Sequence, residues 1–258
     1  MSILEQASVP DAGPQIITFC GDAGLGKSSL AATFPKPIFV RCEDGVARIP
    51  QAFRPQALPP IRTEEQLWEQ LKALVHEDHD YKTAVIDTVS AADRMFVQSI
   101  CRPENAKRAD QGKPPLALNA IMGGYGAGFS ALAARHQQVR NAAEMMRIKK
   151  GMNVIFLAHT EVGTMRLPDM DDFSRYSLRM THDKSLPPYL DDVDAVGFLR
   201  QRIVLRGDED ERKKAVSDET RELVMHVTAS NVSKNPYGIT EPIEVKLGEN
   251  PLAEYVKG

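Results

Sequence analysis

An α/β fold is predicted: a mostly parallel central sheet with helices on both faces, extended at one edge by an antiparallel hairpin. Three features of the chain predict it. Short apolar, β-branched runs alternate with helical stretches through the first two thirds, the pattern that strand–helix–strand units produce. A glycine-rich turn, Gly21-Asp22-Ala23-Gly24-Leu25-Gly26-Lys27-Ser28, separates the first apolar run from the first helical stretch. Near the carboxyl end, two strand-like runs, 195–205 and 221–230, are joined by a highly charged segment, 207–220, as in a hairpin.

Taken in order, residues 1–14 lack the basic start and apolar centre of a secretory signal and read as a flexible leader. Residues 15–258 then form one domain. Residues 15–20 make a buried strand, and a helix begins at Ser28-Ser29. Residues 37–42 make the second strand, followed by a proline-rich link at 53–60. Thr63, with Gln66 three residues later, has the form of a capping box, and Leu67, Leu71, Leu74 and Val75 give that helix an apolar stripe. Residues 82–87 are the third strand, 90–101 a helix, 129–150 a long helix and 153–158 a further buried strand. Residues 242–247 add a short strand to a hairpin extension of about 195–247. Two tracts, 102–128 and 161–190, fit no regular element, and irregular segments of that length are commonly functional or disordered.

With 258 residues, 42% apolar and 26% charged, the composition is that of an ordinary globular protein. No run is apolar enough to span a membrane. Cys20, Cys42 and Cys101 are odd in number and lack metal-site spacing, so they read as thiols in a reducing cytoplasm. The net charge of −3 excludes a surface coated in basic charge and leaves room for a local basic groove.

The glycine-rich turn matches the phosphate-binding pattern G-x-x-x-x-G-K-[ST] at every fixed position, in the strand–turn–helix context that pattern requires. Backbone amides of Gly21 through Ser29 can surround phosphate oxygens, and a helix start adds its positive dipole end. Lys27 is placed to reach the β- and γ-phosphates of a nucleotide such as ATP, and the Ser28 hydroxyl to ligate Mg²⁺. Asp87 ends the third strand, where an acid lies beside the phosphate loop and holds Mg²⁺ next to Ser28. Without that role it is a solvated acid at a strand terminus. Glu43 and Asp44 end the second strand and point at the crevice beyond the carboxyl ends of the parallel strands. Glu43 is the candidate to orient the attacking water, and the alternative is that both acids serve the turn before Gly45. His159 and Thr160, ending the strand at 153–158, can sense the γ-phosphate, although an isolated histidine is equally a structural one. Lys234-Asn235 follows the hairpin. Spacing alone makes Lys234 a surface lysine in a turn, with Asn235, Pro236 and Gly238 supplying turn chemistry.

In this order, the phosphate loop, Glu43, Asp87, His159 and Lys234-Asn235 resemble the RecA-type recombinase core across residues 15–238. The similarity extends to small phage-encoded RecA-like ATP-binding proteins, some of them single-strand annealing recombinases. The resemblance implies Lys27 and Ser28 on phosphate and Mg²⁺, Asp87 as the Walker B acid, Glu43 as the hydrolytic carboxylate and His159 at the sensor position, commonly Gln in RecA. It implies that Lys234 acts on a neighbouring subunit's γ-phosphate, with Pro236 in place of the second lysine of the family's pair. It also puts mobile DNA-binding loops at 102–128 and 161–190. The first tract carries Arg102, Lys107, Arg108, Lys113 and a glycine run. The second carries Arg166, Arg175, Arg179 and Lys184 interleaved with Phe173 and Tyr176, and its acids Asp169, Asp171, Asp172 and Asp183 leave a solvated mixed-charge loop as the alternative.

The expected function is therefore an Mg²⁺-dependent, DNA-stimulated ATPase of phage recombination. It binds single-stranded DNA, promotes annealing or strand pairing, forms homo-oligomers in the host cytoplasm and has a single-strand-binding protein as a possible partner. The alternatives are a nucleotide-switched binding module with little hydrolysis and a P-loop kinase of a small metabolite. The kinase lacks support in that no arginine-rich lid stretch occupies the usual place.

Overall fold

All six residues of β1 (Ile16–Gly21) are buried, and their alternation divides the molecule into two core layers. Ile16 and Cys20 pack into one layer, Ile17 and Phe19 into the other. The computed structural model describes residues 3–8, 13–166, 168, 171–206 and 214–256, with the side chains of 203–206 and 214–218 excepted. Around β1 the sheet gathers β2 (Pro37–Arg41), β3 (Gln56–Ala57), β4 (Thr83–Asp87), β5 (Asn153–Ala158), β8 (Ala195–Arg206), β9 (Lys214–Val224) and β10 (Ile243–Glu244). The strand order is β10-β9-β8-β1-β5-β4-β2-β3. The six strands from β8 to β3 pair in parallel, and β9 and β10 add antiparallel at one edge. This is the expected parallel sheet with an antiparallel extension.

One face is covered by α2 (Glu64–His76), α3 (Val89–Asp110), α4 (Ala127–Lys150) and the short α5 (Pro187–Leu190). Leu67, Leu71, Phe96, Leu132 and Tyr189 form that layer with the strands. The other face is covered by α1 (Lys27–Ala31) and by the carboxyl-terminal turns through Leu252 and Val256. The sequence-read capping box is present: Thr63 accepts from the Gln66 amide and Gln66 accepts from the Thr63 amide. Thr88 caps α3 in the same way by accepting from Ala91.

The two unassigned tracts are more ordered than the sequence reading expected. In the first, α3 continues past Cys101 through Pro103 to Asp110, and α4 begins at Ala127. The residues between fold back onto α3. Asn105 exchanges two hydrogen bonds with the Leu116 backbone, at 2.7 and 3.0 Å, and Glu104 accepts from the Met122 amide. In the second tract, β6 (Thr160–Met165) and β7 (Phe173–Leu178) form a separate antiparallel hairpin. Asp169, one of its counted acids, lies outside the described residues, as does the 207–213 part of the expected charged hairpin loop. The remainder of that loop, from Lys214, is strand β9. Within the expected leader, Ile3–Gln6 forms a single 3₁₀ turn with exposed residues. Among the described residues no helix is long and apolar enough to cross a membrane.

Candidate nucleotide site

Strand register brings the chemistry to one edge. Cys20 pairs with Ala158, Leu157 with Asp87, and Asp87 with Arg41, so β1, β5, β4 and β2 end level. The residues that follow those ends line a cavity of about 440 Å³: Ala23, Gly24, Gly26, Lys27, Ser28, Ser29, Glu43, Gly45, Asp87 and His159. This is the carboxyl-end crevice where parallel sheets bind ligands. The expected loop thus lines the cavity except at three positions. Gly21 and Asp22 turn their carbonyls to the Lys27 ammonium, both at 2.9 Å, and Leu25 packs against the core.

Local backbone demands explain two glycines. Gly26 has φ +88°, a left-handed conformation that side chains disfavour, and it leads directly into α1. At Gly45, a Cβ would stand 3.1 Å from Ser28 Oγ and 3.2 Å from Asp87 Oδ2. The chain after Glu43 therefore passes close over the Ser28–Asp87 pair.

Ser28 Oγ donates to Asp87 Oδ2 at 2.8 Å. Asp87 is almost wholly buried, and burial pushes its carboxyl up to about 6, with the Ser28 hydrogen bond opposing. Burial likewise lowers the Lys27 ammonium below its ordinary value, while the charges of Glu43 and Asp87 act to raise it. Lys27 Nζ also lies 3.4 Å from His159 Nδ1, and His159 Nε2 is 3.1 Å from Glu43 Oε1. With Lys27 donating to Nδ1, the imidazole carries its proton on Nε2 and donates to Glu43. That hydrogen bond holds the Glu43 carboxyl below its usual range against the opposing effect of burial. Lys27, His159 and Glu43 thus form one continuous polar chain across the cavity. Ser90 Oγ accepts from the His159 amide, and Thr160 Oγ1 donates to Asp22 Oδ1 at 2.7 Å, tying the end of β5 to the phosphate loop.

The residues fit a nucleotide with Mg²⁺. A hydroxyl beside a buried carboxylate is the small oxygen set with which proteins hold Mg²⁺ alongside substrate phosphates. Among the described residues no three His, Cys, Asp or Glu side chains cluster as an all-protein metal cage. Burial raises the Asp87 carboxyl toward neutrality, and a neighbouring cation relieves that cost.

Lys234 lies elsewhere. Its ammonium donates to the carbonyls of Asp191 and Val193 at 2.8 and 2.5 Å, and its backbone bridges to Val196. It does not line the cavity of its own chain. Asn235 Oδ1 accepts from the Tyr237 amide, the turn chemistry expected from the sequence. Sequence reasoning missed the arginines that do line the cavity, Arg48 and Arg221. The available signal for Arg221 was the alternation Arg221, Leu223, Met225, which puts it on the same sheet face as two core residues.

No curated protein matches the chain. Among solved structures, a crystal structure of the RadB recombinase aligns with 83% of this chain and 80% of its own, at 12% identity and a TM-score of 0.45. The phosphate loop, the acids at the strand ends and the mostly parallel sheet with its antiparallel edge have the arrangement of a P-loop nucleotide-binding fold. A family model described as an AAA domain matches residues 14–237, a span that holds every residue of the site from Gly21 to Arg221, and the chain belongs to that AAA domain family.

Proposed function

We propose that this chain is a RecA-like ATPase of phage DNA recombination that binds single-stranded DNA, assembles as a homo-oligomer and promotes annealing or strand pairing. One observation carries the reading: the middle member of the Lys27–His159–Glu43 chain, His159, leads directly into the β6–β7 hairpin. The phosphate end of the site and a candidate DNA-binding element are therefore adjacent in both sequence and space. Arg166 and Arg175 lie on that hairpin and Arg179 directly follows it, while Lys107, Lys113 and the fully exposed Tyr125 lie on the first tract. Arg175 is half-buried on the Asn231 carbonyl, and the exposed Arg166, Arg179, Lys107 and Lys113 with an aromatic platform suit a single strand.

In this reading Lys27 neutralises charge on the terminal phosphates, and Ser28 and Asp87 hold Mg²⁺. Mg²⁺, when bound, supplies a Lewis acid for the phosphate oxygens. Glu43, kept ionised by His159, accepts a hydrogen bond from the attacking water and orients it toward the γ-phosphorus. The bond from that phosphorus to the bridging oxygen breaks, and ADP and inorganic phosphate result. Lys234 reaches a neighbouring copy only if it gives up its carbonyl partners, so its action in trans requires that rearrangement.

A second reading has one observation in its favour. Because Glu43 already accepts from His159, a carboxylate that stays so engaged leaves water unoriented, and the protein becomes an ATP-dependent switch with little turnover. Steady-state ATP hydrolysis, measured with and without a single-stranded oligonucleotide and alongside particle imaging, decides between them. Stimulated turnover with ordered assemblies is expected. Tight ATP binding without turnover establishes the switch, and turnover that consumes a small-molecule acceptor and ignores DNA overturns the proposal.

A further inference from the structure

Arg221 belongs to no motif, and the register of β9 alone brings it to the phosphate loop. Leu223 and Met225 pack in the core layer that also contains Leu30 of α1, whereas Val224 packs in the other layer. Arg221 shares the face of Leu223, which is the face on which α1 lies. Its backbone is held from both sides: it pairs with Gln201 of β8, and its carbonyl accepts from the Val245 amide at 2.8 Å. The side chain reaches back over the loop, so that a Cβ built on Gly26 would stand 2.5 Å from Arg221 Nη1. It lines the same cavity as Lys27, Ser28, Glu43 and Asp87.

The guanidinium has no hydrogen-bonding or ion-pairing partner among the described residues. The adjacent carboxylate is committed elsewhere: Glu222 is bound by Arg200 at 3.3 Å and by Arg202 at 2.7 Å. A guanidinium carries five donors in a planar fork that match phosphate oxygens. Held against a phosphate loop, that of Arg221 is therefore preorganised for an anion, since among the described residues it has no hydrogen bond or ion pair to give up.

We infer that Arg221 is a phosphate-contacting residue of the nucleotide site, supplied by the same chain through the edge hairpin. The inference rests on the nucleotide-site reading above and adds a second cation beside Lys27. It also gives nucleotide a direct hold on the β8–β9 hairpin, whose β8 pairs in parallel with the loop strand β1.

Binding of fluorescently labelled ATP with Mg²⁺, together with amide hydrogen exchange of β8 and β9, tests this on the wild type, Arg221→Ala and Arg221→Gln. Both variants are expected to bind about ten- to a hundredfold more weakly, the loss of one charge-assisted hydrogen-bonding group. Nucleotide is expected to slow exchange in β8 and β9 of the wild type, and to do so far less in either variant at saturating ATP. Arg221→Gln keeps most of the aliphatic stem, so it carries the test if the alanine variant fails to fold. Wild-type affinity and protection in Arg221→Gln overturn the role of Arg221 and leave the nucleotide site standing. A wild type that binds no ATP overturns both.

Discussion

At the scale of the residue, Asp87 sets the site's electrostatics against the protein's stability. A carboxyl raised from 3.8 to about 6 binds its proton more tightly in the native than in the unfolded chain. Stability therefore declines as pH rises through that window and stays at the lower level above it. Two units correspond to roughly 3 kcal/mol at about 1.4 kcal/mol per unit. Asp87→Asn removes the ionisation and keeps an oxygen to accept from Ser28. In denaturant unfolding with a chelator at pH 7, the variant is expected to be more stable by roughly 1–3 kcal/mol, with a shallower decline between pH 4 and 6. A variant less stable than wild type at pH 7 would show that burial is not what raises this carboxyl. Lys27 and Ser28 were legible in the sequence because backbone geometry forces their spacing within a single strand–turn–helix unit, and Asp87 because it ends a short apolar strand. Arg221 was not, because local alternation gives only its sheet face, while its place over the phosphate loop follows from a strand register nearly two hundred positions beyond Gly26.

At the scale of the element, the helices with short-range signals were read correctly. Thr63 and Gln66 signal their capping box within four residues, and the structure shows both halves of it. The Thr63 acceptor is 3.4 Å from the Gln66 amide, a long hydrogen bond, so Thr63→Ala is expected at the low end of the capping range, about 0.5–1 kcal/mol. Thermal unfolding checks this, and a loss well above that range would mean that Thr63 contributes more than its cap. The tracts 102–128 and 161–190 were harder for two different physical reasons. Pro103 cannot donate to the carbonyl one turn back and so reads as a helix end, yet α3 runs through it. The residues beyond are kept helical in part by contacts remote in sequence, such as Asn105 with Leu116. The β6–β7 hairpin is a two-stranded ribbon outside the main sheet. Glu161, Val162, Gly163 and Thr164 are all exposed, so neither face carries the apolar alternation by which a strand is recognised.

At the scale of the molecule, nucleotide and DNA have to communicate for the proposed function, and the structure offers a short route. Thr160 is the first residue of the β6–β7 hairpin, and its hydroxyl donates to Asp22 of the phosphate loop. Its carbonyl accepts from the Arg179 guanidinium just past the end of β7 at 2.9 Å. A shift of the loop around phosphate is thereby transmitted to both ends of the hairpin through one buried residue. Coupling between two binding sites is reciprocal, so ATP tightens DNA binding by the same factor by which DNA tightens ATP binding. Thr160→Val keeps the volume and the backbone carbonyl and deletes only the hydroxyl. Each ligand alone is expected to bind this variant nearly as well as wild type, while the coupling factor falls toward one. Titrating ATP with and without a single-stranded oligonucleotide, at one fixed salt concentration because phosphate contacts weaken steeply with salt, gives the factor directly. Undiminished coupling in Thr160→Val would move the communication away from this bond, to Arg221 and the edge hairpin or to the His159–Glu43 contact. Loss of coupling with both affinities intact would identify Thr160 as the joint between the two sites.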